Sequence, residues 1–176
     1  RALYGVWCLV AFLPLALLAL ALALLAPTLT LRRAIARAAA RLFFAVAGIP
    51  VSVRGLEHLP AGACVVVANH ASYLDGVVMQ AALPPRFAFV IKKEMVRVPL
   101  ASLLLRRLGS EFVDRFNRHA GATDTRRVLR RAASGQALGF FPEGTFTPAV
   151  GLGRFHAGAF VTAARAGLPF AANCTA

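Results

Sequence analysis

The chain has 176 residues, 59% of them hydrophobic, and a formal net charge of +13 carried by arginine except at Lys92 and Lys93. That length suits one compact domain with an appendage, and so apolar a composition calls for a segment held in lipid or in a deep core. The basic balance asks for an anionic partner, whether nucleic acid, an anionic membrane surface or a phosphorylated substrate. Cys8, Cys64 and Cys174, far apart and without a CxxC pair, read as small buried apolar residues and not as a disulfide frame or a zinc site.

The first element is VWCLVAFLPLALLALALALLA, residues 6 to 26, which holds no charge. At about 1.5 Å per residue it is long enough for a hydrocarbon core of roughly 30 Å. Pro14 is tolerated in a membrane helix. The run is longer than the h-region of a secretory signal, so a retained anchor is expected. The arginines that follow at once, Arg32, Arg33, Arg37 and Arg41, favour the cytoplasmic side, the inner membrane in a bacterium. TLRRAIARAAARLFFAVAG then reads as a basic amphipathic helix. It can lie in the headgroup plane or pack on the anchor as a hairpin, and both remain open.

From about Gly48 short β-rich runs alternate with helical ones. PVSVRG, ACVVVAN, FAFVIK, EFVDR, ALGFFP and PFAANC read as strands, with helices near 75–83, 98–108, 122–134 and 157–166. The third helix has Thr123, Asp124 or Thr125 near its start and closes toward Ser134-Gly135, in line with capping preferences. Alternation of this kind predicts an α/β fold with a largely parallel or mixed sheet flanked by helices. The expected division is an N-terminal anchor and amphipathic helix over 1–47 and a second unit over 48–176. The chain opens on Arg1 and stops at NCTA directly after an apolar run, so further chain is expected beyond its C-terminus. No GxGxxG or GxxxxGK[ST] supports a nucleotide fold.

In open α/β sheets functional groups collect where strands end. ACVVVAN runs into His70 and Asp75, EFVD into Arg115, and ALGFF into Pro142-Glu143-Gly144-Thr145. A histidine with a carboxylate, an arginine and a Glu-Gly turn suit acyl transfer or phosphate handling. Read without its context, His70 is equally an incidental residue between a strand and a capped helix. Ser72 is a capping residue in this reading. His58 and His119 read as surface histidines. Metal binding would need clustered His, Cys or carboxylate ligands, and only His70 with Asp75 approaches that, so no metal is expected.

Together these residues resemble the glycerolipid acyltransferases of the 1-acylglycerol-3-phosphate acyltransferase type. Asn69, His70 and Asp75 match that family's NHxxxxD block. Gly109, Phe112, Val113, Asp114 and Arg115 match its Gly–strand–Arg block, and Phe141 to Thr145 match FPEGT without change. VRGLEHLPAG and IKKEMVRVPL agree with its flanks, and the likeness spans roughly residues 50 to 170. Phe146 departs from an Arg common after FPEGT, His156 from a Lys common before the GAF segment, and Phe170-Ala171-Ala172 from a second proline.

The resemblance implies a membrane-bound O-acyltransferase using acyl-CoA or acyl-carrier protein as its donor substrate and no cofactor. The acceptor would be a lysophospholipid, most simply lysophosphatidic acid. His70 would be the general base, Asp75 its orienting carboxylate, Arg115 a phosphate contact, and Glu143, Gly144 and Thr145 the acceptor-binding loop. Lys92 and Lys93 would meet donor phosphates or form a solvated charge run. Three alternatives are weighed: the same transfer to another hydroxyl acceptor, such as glycerol 3-phosphate or a lyso-amino-lipid, which Phe146 motivates; an inactive relative that binds lipid at a membrane surface; and a cationic nucleic-acid binder. The last lacks any recognised motif, so no nucleic-acid partner is expected.

Overall fold

The computed structural model describes residues 2–114, 118–144 and 153–173. Two helices come first, α1 (Ala2–Leu25) and α2 (Leu29–Ala47). Pro27 and Thr28 turn the chain between them, and the Thr28 hydroxyl accepts the Leu31 N–H at 3.3 Å, satisfying an otherwise open donor at the start of α2. The helices pack side by side, with Phe12 edge-on to Phe43 at 5.2 Å between ring centres. The choice left open by the sequence is therefore resolved as a hairpin. Among the described residues α1 is the one helix long and apolar enough to cross a membrane.

Arg33 and Arg37 do not face headgroups. Arg33 is buried and donates to the carbonyls of Leu108 at 2.8 Å and Arg86 at 2.9 Å. Arg37 donates to Ala81 at 3.2 Å and Ala82 at 3.3 Å. These carbonyls include helix ends, where the macrodipole favours a cation. Burial, with the like charge of Arg131, lowers the Arg33 pKa to about 10, so the group stays charged at neutral pH. Each hydrogen bond from such a charged donor contributes about 1.5–3 kcal/mol, against a desolvation cost of several. The hairpin is thereby stitched onto the remainder of the chain.

Strands and helices then alternate: β1 (Val65–Ala68), α3 (Asp75–Ala82), β2 (Phe87–Lys92), α4 (Pro99–Arg107), β3 (Glu111–Val113), α5 (Arg118–Ala133), β4 (Ala137–Phe140), α6 (Gly158–Ala166) and β5 (Phe170–Asn173). The sheet order is β3-β2-β4-β1-β5 and every pairing is parallel. Strand side chains alternate between faces. Val65, Val67, Leu138 and Phe140 pack on one face with Val128 and Ala132 of α5 and Ala159 and Ala163 of α6. Cys64, Val66 and Ala68 pack on the other with Met79 of α3. Because both faces are covered, β1 reads as an unbroken apolar run instead of an alternating one. Each fully buried Val or Leu contributes about 1.5–3 kcal/mol.

Two sequence expectations are corrected. PVSVRG forms no strand: it belongs to the connector after α2, where Ile49 and Val51 pack against the helices, not along a sheet edge. The helix expected from 122 begins at Arg118, so Thr123, Asp124 and Thr125 lie inside it and not at its start. Asp124 is instead turned onto the end of β3. The Ser134-Gly135 end does close the helix, with Gly135 and Gln136 donating back to Ala132 and Arg131.

Candidate active site

Sheet order creates the site. β1 and β4 lie far apart in sequence but are neighbours, Val67 opposite Phe140, so the segments leaving their C-terminal ends meet. His70 leaves β1, and Phe141-Pro142-Glu143-Gly144 leaves β4.

Between β1 and α3 the chain turns tightly and folds the Asp75 carboxylate back over its own loop. Oδ2 accepts the N–H of Ala71 at 2.6 Å and of Ser72 at 2.7 Å, and lies 3.0 Å from His70 Nδ1. Burial alone would raise this carboxyl's pKa, but the Ser72 N–H, the His70 imidazole and the Ala71 N–H together hold it below its ordinary value. An ionised carboxylate facing Nδ1 fixes the proton there, which makes Nε2 the basic nitrogen. The Ser72 hydroxyl accepts the Leu74 N–H at 3.0 Å, just ahead of α3.

The segment after β4 grips the histidine from the other side. The Phe141 ring stacks on the imidazole at 4.3 Å between centres and 21° between planes. Glu143 is buried, and its Oε1 accepts the His70 backbone N–H at 2.7 Å while Oε2 accepts the Gly153 N–H at 2.7 Å. A Cβ on Gly153 would come within 2.7 Å of that oxygen, so a side chain there would displace the Glu143 carboxylate from this position. Gly144, at φ 79°, supplies the left-handed step of the turn and donates to the Phe141 carbonyl at 3.0 Å. Glu143 is thus a clamp between two loops, a part the sequence reading did not give it.

The third cluster flanks β3, an edge strand three strand spacings from β1, or roughly 14 Å. Glu111 pairs with Arg127 at 2.7 Å and Arg131 at 2.9 Å. Asp124 pairs with Arg127 at 2.8 Å and accepts the Asp114 N–H at 2.9 Å. The Glu111 hydrogen bond, outweighing burial, raises the Arg127 pKa further, so this guanidinium is permanently charged. Arg115, Thr145 and Phe146 lie outside the described residues, as do Cys174 and the His119 side chain. The two lysines differ: Lys92 lies 5.9 Å from the Tyr73 ring centre, and Lys93 is 3.4 Å from Asp114. His58 and His156 are exposed.

A sequence profile described as Acyltransferase matches residues 50–174. The chain belongs to the acyltransferase family. Over 132 residues this acyltransferase-family chain is 31% identical to the 1-acyl-sn-glycerol-3-phosphate acyltransferase of Pseudomonas aeruginosa, covering 70% of this chain and 48% of the relative. A chloroplastic 1-acyl-sn-glycerol-3-phosphate acyltransferase of Brassica napus is 31% identical over 66% of this chain and 34% of its own length. A lyso-ornithine lipid O-acyltransferase of Rhodobacter capsulatus is 38% identical over 61% of this chain and 37% of the relative. The chain therefore spans between a third and a half of the curated relatives it matches. In fold it is similar to the crystal structure of the 1-acyl-sn-glycerophosphate acyltransferase PlsC of Thermotoga maritima, with TM-score 0.72, 23% identity, and coverage of 95% of this chain and 68% of that one.

Sequence reasoning missed Phe141 as a stacking partner, Glu143 as a clamp, and the Glu111–Arg127–Asp124 set. One signal was available. The chain has seven acidic residues, and four of them, Asp75, Glu111, Asp124 and Glu143, are buried. So few carboxylates in so basic a chain mark themselves as internal partners for N–H and guanidinium groups.

Proposed function

We propose that this chain carries the acyl-transfer site of a membrane-associated O-acyltransferase. It moves a fatty acyl group from a thioester, acyl-CoA or acyl-carrier protein, to the hydroxyl of a lysophospholipid, most simply lysophosphatidic acid, giving phosphatidic acid. The observation that carries the reading is the His70–Asp75 pair at 3.0 Å, beyond the C-terminal end of an interior strand in a chain of this family.

A glycerol hydroxyl is a poor nucleophile near neutral pH and needs a base as it attacks. His70 Nε2 takes the hydroxyl proton while the oxygen adds to the thioester carbonyl, and Asp75 balances the imidazolium that forms. The tetrahedral intermediate expels the thiolate, which leaves protonated by His70, so that the ester and a free thiol result. The acceptor hydroxyl stands where a serine hydrolase has its serine, and no covalent acyl-enzyme is required. Arg115, following β3, is the proposed phosphate contact through a two-point guanidinium pairing. Membrane attachment through the N-terminal hairpin, with the site on the cytoplasmic face, is supported by the apolar α1 and its flanking arginines.

The test is acyl transfer by the folded, membrane-bound chain from each donor to lysophosphatidic acid. Phosphatidic acid should form, and absence of transfer to any lysolipid would sink the reading. A second acceptor is favoured by one observation, the 38% identity to a lyso-ornithine lipid O-acyltransferase. Lyso-ornithine lipid therefore belongs in the acceptor panel, beside the glycerol 3-phosphate that Phe146 calls for.

Glu143→Gln separates clamp from acceptor contact. The amide keeps one accepting oxygen and turns an N–H against the other donor. As a clamp, Glu143 gives a kcat lower by about 10- to 100-fold with acceptor KM little changed, because the base is displaced by a fraction of an ångström. If KM rises at constant kcat, Glu143 touches the acceptor instead.

A further inference from the structure

Four arginines lie along α2, and three are engaged. Arg32 donates to Ala26, Arg33 to Leu108 and Arg86, and Arg37 to Ala81 and Ala82. Arg41 makes no hydrogen bond or ion pair among the described residues. It lines a groove of about 220 Å³ whose other walls are apolar, formed by Phe44 of α2, Ile49, Val51 and Val53 of the connector, and Ala81 at the end of α3. None of the seven carboxylates lines this groove. A lone guanidinium over an apolar trough is complementary to an anionic headgroup joined to a hydrocarbon chain.

Two aromatic residues indicate where such a ligand comes from. The Tyr4 hydroxyl donates to the Ala47 carbonyl at 2.9 Å and the Trp7 indole to Val46 at 3.3 Å, so both side chains reach the last turn of α2, the helix that carries Arg41 and Phe44. Each is about half exposed. Amphipathic rings of this kind collect at the level of lipid headgroups. Beyond them α1 exposes Val10, Leu13 and Leu17. The helix that carries Arg41 thus packs on an apolar helix whose aromatic residues reach its last turn.

We propose that this groove is a binding site for one anionic phospholipid drawn from the membrane, its phosphate on Arg41 and part of an acyl chain along Phe44, Val51 and Val53. The site is separate from the acyl-transfer centre. Asp75 opens α3 and Ala81 lies near its end, about 9 Å along the helix axis. The ligand here is a bound lipid and not a substrate, so the site does not depend on the reaction assigned above.

Trp7 is the chain's single tryptophan, and its indole donates to Val46, five positions from Arg41 on α2, so it reports on lipid held beside that helix. The full chain is placed in phosphatidylcholine nanodiscs, and Trp7 emission is measured as phosphatidylglycerol with brominated acyl chains replaces a small fraction of the lipid. The same fraction of brominated phosphatidylcholine is the reference. Brominated phosphatidylglycerol should quench at about a fivefold lower mole fraction, the scale of one arginine acting on an anionic lipid. Arg41→Gln should remove that preference, whereas Arg165→Gln, which deletes one exposed charge on α6, should leave it. Ala45→Leu, which fills the groove and keeps Arg41, should also remove it. Equal quenching by the two lipids, or an unchanged preference in Arg41→Gln, overturns the site. Loss of the preference on adding millimolar inorganic phosphate overturns the acyl-chain part, since the groove would then hold a bare anion. Acyl-transfer activity is read in parallel and should persist in Arg41→Gln, so failure of this site and failure of the enzymatic reading are distinguishable.

Discussion

His70→Ala lowers the rate of acyl transfer by about 10²- to 10⁴-fold, the range a positioned general base supplies, while the chain stays folded. The fold survives because the main-chain N–H of residue 70, which Glu143 Oε1 accepts at 2.7 Å, is present in alanine as well. What is lost is the imidazole itself and its stack on Phe141, a contact worth roughly 0.5–1.5 kcal/mol. The measurement is the initial rate at saturating donor and acceptor, with thermal unfolding followed on the same sample. A folded variant with more than a tenth of the parent rate would remove His70 from the role of base.

Asp75→Asn gives the second large loss, of about 10²- to 10⁴-fold in kcat, by analogy with the carboxylate of a Ser-His-Asp triad. The substitution keeps size and one accepting oxygen but removes the charge that balances the imidazolium. In the flipped orientation the amide would donate to Nδ1 and place the histidine proton on the nitrogen that should act as base.

The same carboxylate makes a stability prediction whose sign follows from its pKa. In the folded chain Asp75 is held below its ordinary value of 3.8, so the unfolded state binds the proton more tightly. The resulting stabilisation is full above about pH 5 and is lost as pH falls below about 4, through the folded-state pKa. Asp75→Asn lacks this contribution. The stability gap between parent and variant should therefore narrow steadily as unfolding is measured from about pH 6 down to about pH 3. Parallel curves would mean that the Ala71, Ser72 and His70 donors do not favour the ionised form.

Much of this was legible because it is local. The valine run Val65–Ala68, the helical spacing after Asp75, and the Ser134-Gly135 stop depend on side-chain type over a few residues, and each element forms where the sequence placed it. The His70–Asp75 contact is local too, five positions apart across one loop and a helix start. Failures came where a distant partner overrode a local preference. VSV at 51–53 has β-branched residues but pairs with no strand among the described residues, so Val51 packs on helices while Val53 stays exposed. Thr123-Asp124-Thr125 carries the chemistry of a cap, yet Asp124 is committed to Arg127 and to the Asp114 N–H, and the helix starts earlier. Arg33 and Arg37 read as solvent or headgroup charges because arginine seldom enters an interior. The carbonyls that receive them come from residues 81 to 108.

By itself the sequence determined the α/β alternation, the apolar helix at the front and the polar residues at three strand ends, since periodicity and residue type decide these over short spans. Only the tertiary structure decided which strand ends meet. The order β3-β2-β4-β1-β5 brings β4 against β1, and so sets Phe141 on the imidazole of His70 and Glu143 on its backbone across 73 positions of sequence. No local rule contains that adjacency, because it is fixed by how five strands share two covered faces.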